Sequence, residues 1–358
     1  PLDKIPGRNT ARVILDQNQH LDFTDLQGRN IEEDLSQRDF TINAMSLPLS
    51  EFLSAQKGII DPYKGQEDFS NKKIRVLQGP IFSSDPLRML RAFRFAATLN
   101  FEIDADTLTN ISLHKDKLSE SAPERIWREL TIFFKVSETL PSIKTMHDCG
   151  LLDCLFPASG PVLAQYEKVE SLLNDPRATF SEYTDKFNTD AFLGKHYLIK
   201  HSVLKNATQN CNHRLSNAES QLVEQALSGA KSLAQEYLKG SHELNETYEL
   251  TLSIHEELLA SIILFITDSD GSDIGQRTLF CNDILKFYYD QFLPAMSEKP
   301  LLNGEDIIHQ FQLSPSPLFG RILNDIQKAQ VLGKITTPED AVALAGDIIQ
   351  SQTKESNG

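Results

Sequence analysis

The sequence predicts an α+β fold in which a small mixed β-sheet precedes a long all-helical portion. Three patterns predict it. Residues 11–26 alternate or run apolar on either side of a polar turn, which is typical of a β-hairpin. Short apolar runs between turn residues continue to residue 80. From residue 161 to the end, nearly every segment has the spacing of an amphipathic helix.

The first 80 residues are expected to form short elements in close succession. The hairpin strands are residues 11–16 and 20–26, around the turn at residues 17–19, and residues 31–36 form an acidic helical turn. Further short strands are expected at residues 43–49, 58–62 and 74–77, with a loop at residues 64–68.

Helices are expected from Pro80 onward. Asp85-Pro86 resembles an N-cap followed by proline at the first helical position, so a largely buried helix is expected from Asp85 to Leu99. A second helix is expected over residues 124–136, with Pro123 near its start.

The charge of the chain is uneven. The net charge is −15, which argues against a general binder of polyanions. Residues 1–130 carry only −3 of this charge, and residues 131–358 carry −12. The charge balance of the N-terminal third is therefore compatible with a local basic groove.

The remaining composition favours a cytoplasmic protein without a membrane partner. No apolar run is long enough to cross a bilayer, and no segment has the pattern of a signal peptide. Cys149, Cys154, Cys211 and Cys281 lack metal-type spacing, so we expect reduced thiols.

Arg38, Asp39 and Asn43 interrupt a stretch that is otherwise apolar. Polar groups on buried backbone are costly unless they are paired. One interpretation is structural, with an Arg38–Asp39 salt bridge and Asn43 capping a turn. The other is a nucleotide site, because a carboxylate accepts bonds from ribose hydroxyls and a guanidinium binds phosphate in a bidentate manner.

A second polar series recurs every three residues at Asp85, Arg88, Arg91 and Arg94. On a helix this spacing gives one face. The stripe is either neutralised by nearby carboxylates, or it binds phosphates while Asp85 and Arg88 together bind the edge of a base. The residues by themselves leave both interpretations open.

These segments resemble, in order, the class II tRNA nucleotidyltransferase and bacterial poly(A) polymerase family, which includes the CCA-adding enzymes. The matching stretches are residues 31–35, 38–44, 61–65 with Asp68, 74–75, 85–97, 124–126 and 129–130. A weaker match near the C-terminus covers residues 304–308, 314–320 and 333–335.

The resemblance implies four regions and a role for each site residue. Residues 1–80 are a partial nucleotidyltransferase head, 81–160 a helical neck with nucleotide-selecting motifs, 161–300 a helical body and 301–358 a tail that binds tRNA. It implies that Asp39 binds ribose, with Arg38 and Asn43 beside it. Asp85 and Arg88 pair with the incoming CTP or ATP, Arg91 and Arg94 contact the triphosphate, and Glu124 and Arg125 brace these groups. The residues expected to contact RNA are Gly304, Ser314, Ser316, Gly320 and Lys334.

The sequence departs from the family in three places. Gln37 stands where the family usually has arginine, and Ser84 stands where it usually has an acid. The family's Asp-x-Asp element, which holds two Mg²⁺ ions, is not found before the hairpin. We therefore expect an N-terminally truncated copy of a longer enzyme, inactive by itself. Asp22 is a candidate third carboxylate, or simply a surface acid on the hairpin.

The resemblance implies an RNA nucleotidyltransferase that adds CCA, CC or A from CTP and ATP to the 3′ end of tRNA, without a nucleic-acid template. The alternatives are a poly(A) polymerase, a non-catalytic RNA-binding remnant or paralogue, and a helical scaffold.

Overall fold

The computed structural model describes residues 10–15, 19–52, 58–157, 160–206, 208, 211, 213–240, 243–269, 271–312 and 317–355. The chain divides into two compact units. The first unit comprises residues 1–170 and 203–216, and the second comprises residues 171–202 and 217–358. The short stretch 203–216 thus belongs to the first unit, although the chain on both sides of it belongs to the second.

The first unit opens with the predicted hairpin. Strand β1, Thr10–Ile14, pairs antiparallel with β2, His20–Thr24. Ala11 faces Phe23 and Val13 faces Leu21 across this ladder, so one surface of the hairpin is apolar. A second pair is parallel, with β3, Lys73–Ile74, beside β4, Glu102–Ile103.

The strands predicted between the hairpin and the helices are largely wrong. Residues 43–49 and 58–62 meet only in a single bridge, between Ser46 and Ile60. The chain turns in a short 3-10 helix, Thr41–Asn43, before it reaches that bridge. An apolar run is compatible with such an irregular buried segment as well as with a strand, because both hide the side chains.

Nine helices of the first unit lie in the described residues: α1 Ile31–Ser36, α2 Gly65–Ser70, α3 Ile81–Ser84, α4 Leu87–Leu99, α5 Ala105–His114, α6 Pro123–Phe134, α7 Leu140–Asp148, α8 Leu151–Leu155 and α9 Leu163–Asn174. Helix α4 begins two residues later than predicted. Asp85 is extended, and its Oδ1 accepts the Leu87 backbone N–H at 3.3 Å, as an N-cap does. Asn100, in the left-handed conformation, ends the helix.

Helices α4 and α6 pack against each other and build the core of the first unit. Met89 and Phe93 of α4 are fully buried, as is Ile126 of α6, and Leu130 and Phe133 of α6 are 1 % exposed. Burying these side chains fixes the rotation of both helices. The arginines of α4 are consequently directed away from the core.

The second unit is helical throughout its described residues. Its helices are α10 Thr184–Phe187, α11 Asp190–Leu193, α12 His196–Asn206, α13 Asn217–Lys239, α14 Leu244–Ile254, α15 Leu258–Thr267, α16 Ile274–Phe287, α17 Leu293–Ser297, α18 Gly304–Phe311, α19 Pro317–Val331 and α20 Pro338–Glu355. One turn of π-helix, Tyr288–Phe292, joins α16 to α17. Helix α13 packs closely on α15, since a Cβ at Gly229 would collide with Ser261.

One stretch of the second unit corrects an expectation from the sequence. Residues Leu244–Thr267 are long and apolar enough to cross a membrane, although no such run was predicted. The most apolar window of this stretch is 72 % buried inside the protein, which is typical of a core helix.

Candidate functional site

Eight of the nine residues predicted to bind the nucleotide line one cleft of the first unit, of about 720 Å³. They are Arg38, Asp39, Asn43, Asp85, Arg88, Arg91, Arg94 and Arg125. With Arg128 the lining includes six arginines, opposed by the three carboxylates Asp39, Asp85 and Glu129. The cleft thus has a net charge of +3 in a chain whose net charge is −15.

Asp39 and Arg91 form the buried centre of the cleft. Asp39 is only 6 % exposed. Its Oδ1 accepts from the Phe40 backbone N–H and from Asn43 Nδ2, both at 3.0 Å. Its Oδ2 accepts from Nε and Nη2 of Arg91, both at 2.7 Å. Asp39 therefore orients Arg91, and its predicted bond to ribose stays a prediction.

Arg94 is held between a carboxylate and an aromatic ring. Its Nε donates to Glu129 Oε2 at 2.6 Å, and its guanidinium lies 4.0 Å from the centre of the Phe95 ring. Glu129 Oε1 also lies 3.9 Å from Arg91 Nη1. Carboxylates thus lie against both Arg91 and Arg94, and their predicted contact with the triphosphate stays a prediction.

Asp85 and Arg88 have different partners from each other. Arg125 Nη2 approaches Asp85 Oδ2 at 3.2 Å, and Asp85 remains partly exposed. Arg88 Nη2 donates to the backbone carbonyl of Gln37 at 3.0 Å. In the part of the chain that the structure describes, no carboxylate lies within ion-pair distance of Arg88. Arg88 therefore adds an uncompensated positive charge to the cleft.

The Arg38–Asp39 salt bridge expected under the structural interpretation is wrong. Arg38 Nη2 instead donates to Asp34 Oδ2 at 2.6 Å, one helical turn earlier. Asp34 is 1 % exposed, and its Oδ1 accepts the Gln27 backbone N–H at 2.7 Å. Two carboxylates, Asp34 and Asp39, thus place two arginines on one rim of the cleft.

Glu124 is the predicted residue that lies outside the cleft lining. It is exposed in the first turn of α6, where its Oε1 lies 3.8 Å from Arg214 Nη1. Glu129 lies in a stretch that matches the family, but the sequence assigned it no role in the site, although it follows Arg125 by four residues and therefore shares its helix face. That spacing, on a helix opposite an arginine stripe, is the signal that could have found it.

Asp22 is already engaged by an arginine. Arg12 Nε and Nη2 donate to its two carboxylate oxygens at 2.6 and 2.7 Å. The bond to Arg12 lowers the pKa of Asp22. Among the described residues, no group of three or more His, Cys, Asp or Glu side chains is placed to hold a metal ion.

The residues predicted to contact RNA in the tail lie on different structural elements. Gly304 begins α18, Gly320 lies within α19, and Lys334 follows the left-handed Gly333 that ends α19. A Cβ at Gly304 or Gly320 would meet nothing within 4 Å, so packing does not require glycine there. Ser314 and Ser316 lie outside the described residues.

The chain matches three family profiles. Residues 8–75 match the poly(A) polymerase head domain, residues 100–161 a probable RNA- and SrmB-binding site of polymerase A, and residues 212–345 a putative second domain of tRNA nucleotidyltransferase. The first and second of these cover parts of the cleft, including Asp39 and Arg125 respectively.

Two curated relatives align with most of the chain. A CC-adding tRNA nucleotidyltransferase of Geobacter sulfurreducens is 29 % identical over 95 % of this chain and 80 % of its own. An A-adding tRNA nucleotidyltransferase of Deinococcus radiodurans is 27 % identical over 96 % of this chain and 84 % of its own.

Two solved structures share the fold. The Thermotoga maritima CCA-adding enzyme in complex with tRNA has a TM-score of 0.64 at 20 % identity, covering 96 % of this chain and 79 % of its own. The Bacillus stearothermophilus CCA-adding enzyme in complex with CTP has a TM-score of 0.59 at 21 % identity, covering 98 % and 83 %. The predicted α+β class is confirmed.

Proposed function

Because the chain belongs to the family of tRNA nucleotidyltransferases and poly(A) polymerases, we propose that it transfers nucleotides from CTP or ATP to the 3′ end of tRNA. The added sequence is CCA, CC or A. The two relatives described above, which align with 95 % and 96 % of the chain, are a CC-adding and an A-adding tRNA nucleotidyltransferase, which supports a tRNA acceptor.

One observation carries this proposal. Charged residues up to 91 positions apart in sequence, from Arg38 to Glu129, converge in a single cleft with a net charge of +3. A nucleoside triphosphate carries several negative charges, and guanidinium groups bind phosphate oxygens in a bidentate manner. A cleft of this charge in an acidic protein is suited to a small polyanion rather than to nucleic acid at large.

The partners of these side chains support separate roles in binding the phosphates and in binding the base. Arg91 is oriented by Asp39, and Arg38 by Asp34, so both guanidinium groups are pre-positioned for phosphates. Asp85 supplies acceptors and Arg88 supplies donors, which together complement the donor and acceptor pattern of a base edge. Arg125 steadies Asp85 from the neighbouring helix.

We also propose Mg²⁺ as the cofactor, on the family resemblance alone. The described residues do not fit a magnesium site, since Asp22 is paired with Arg12 and no other suitable cluster lies among them. We therefore assign no step of the reaction to a contact between a residue and the metal. The four regions named above, and a cytoplasmic location, belong to the same proposal.

The test is base selectivity in variants of the cleft. Asp85→Ala and Arg88→Ala should lose discrimination between CTP and ATP while the fold is retained, because each base-edge contact contributes about 1–3 kcal/mol. The measurement, made on the full natural protein, is incorporation of labelled CTP and ATP into tRNA transcripts with truncated 3′ ends, together with circular dichroism. Arg177→Ala is the matched control, since Arg177 is exposed and its guanidinium bonds Asp175, two residues away.

Two outcomes would contradict the proposal. Unchanged selectivity in both variants would remove Asp85 and Arg88 from base recognition. Binding of tRNA by the full natural protein without any incorporation would favour the non-catalytic RNA-binding alternative.

A further inference from the structure

Helix α6 has two faces with different tasks. Arg125, Arg128, Glu129 and Ile132 line the cleft. The opposite face is buried and includes Trp127, which is 7 % exposed. The position of the buried face therefore sets where the cleft side chains stand.

The N-terminal turn of α6 is not fixed by a capping side chain. Its N-cap residue is Ala122, which makes no side-chain hydrogen bond to the helix, and Pro123 occupies the first turn. Yet Arg125 and Glu129, in the first two turns, have to reach the carboxylate and the arginines on α4 and its N-terminus. Side-chain packing therefore has to hold this end of the helix in place.

The stretch Val203–Ser216 provides that contact. The ring of His213 stacks on the indole of Trp127, with centroids 5.6 Å apart and planes 13° apart. His213 also meets the edge of Phe156 at 5.0 Å, and it is 8 % exposed. The next residue, Arg214, lies 3.8 Å from Glu124 in the first turn of α6. Stacked rings fix both distance and orientation, whereas an exposed ion pair fixes little.

We propose that His213 is a positioning residue of the nucleotide cleft, which acts through Trp127. By holding the start of α6, it keeps Arg125 in reach of Asp85 and Glu129 in reach of Arg94. This inference rests on the proposed function, because it concerns binding of the same nucleotides. His213 and Trp127 both belong to the first unit.

The test compares His213→Ala and His213→Gln, which lack the ring, with His213→Phe, which keeps it. Affinity for CTP and ATP is measured by calorimetry on the full chain. Displacing a positioned group weakens function steeply, so we expect both ring-less variants to bind about five- to tenfold more weakly. His213→Phe should stay within about twofold of the wild type. Trp127, the only tryptophan of the chain, gives an independent fluorescence titration of the same binding.

A cavity variant separates positioning from general loss of stability. Leu151→Ala removes a fully buried side chain of α8 and should lower stability without changing nucleotide affinity. The inference is overturned if the ring-less variants bind as tightly as the wild type, if Leu151→Ala weakens binding as much as they do, or if His213→Phe fails to restore it. A wild type that binds neither nucleotide would overturn the proposed function as well.

Discussion

The cleft of the first unit and the tail, residues 301–358, differ in how deeply their ion pairs are buried and in the sign of their net charge. In the cleft, Asp39 is buried and holds Arg91 with two hydrogen bonds of 2.7 Å. In the tail, the ion pair Arg321–Asp325 is 3.9 Å long and both side chains are largely exposed. The cleft lining is positive, whereas the tail has four Lys and Arg against seven Asp and Glu.

The tail is held together by apolar contacts. Ile307, Ile322 and Ala341 are completely buried where α18, α19 and α20 meet. The N–H of Lys334 bonds the carbonyl of Ala329, and the N–H of Gly333 bonds that of Gln330, which closes α19 in a Schellman motif. Ion pairs therefore hold side chains in place in the cleft, whereas in the tail charged side chains can be exchanged with little effect on the fold.

The largest expected effect comes from Asp39→Ala. It leaves Arg91 and the Asn43 amide without their shared acceptor, so stability should fall by about 3 kcal/mol and nucleotide binding should be lost. Urea unfolding and calorimetric titration with CTP measure the two effects. Asp325→Ala in the tail is the matched control and should change stability by less than about 0.5 kcal/mol. Equal losses in both variants would abolish the comparison.

A smaller effect is expected from acid. The pKa of His213 is lowered to about 4, because burial disfavours the charged ring and Lys205 repels it. Between pH 7 and 5 the unfolded chain therefore takes up a proton on this imidazole that the folded chain does not. Stability should fall by about 2 kcal/mol from this group as the pH falls, and this contribution should be absent in His213→Phe, whereas that of His196, whose pKa burial also lowers to about 4, should remain. A His213→Phe curve as steep as that of the wild type would contradict the assignment.

The smallest effect is expected in the tail itself. Gly320→Ala should raise stability by about 0.5–1 kcal/mol, because glycine within a helix is less favourable than alanine and a new Cβ meets no neighbour. If RNA backbone approaches this position, as the family resemblance implies, tRNA affinity falls at the same time. Gly346→Ala on α20 should stabilise without that loss. Filter binding of labelled tRNA measures this affinity. Unchanged affinity in Gly320→Ala would remove Gly320 from the RNA contacts.

The sequence predicts the cleft better than the strands around it. Arginines at positions 91 and 94 share a helix face and lie against carboxylates, as a stripe of like charges predicts, whereas Arg88 bonds a backbone carbonyl. Which carboxylate pairs with which arginine is decided by the packing of α4 against α6 and against residues 38–44. Asp85 therefore pairs with Arg125, and Asp39 with Arg91, rather than with their sequence neighbours. The stack of His213 on Trp127 joins residues 86 positions apart, and no local pattern marks it.

The central claim is that Asp85 and Arg88 select the nucleotide inside this cleft. The most direct test is a crystal structure of the chain with CTP at saturating concentration. We expect phosphate oxygens to contact the arginines of the cleft, and the base edge to lie within hydrogen-bond distance of Asp85 and Arg88. A nucleotide bound elsewhere, or a base that contacts neither side chain, would contradict it.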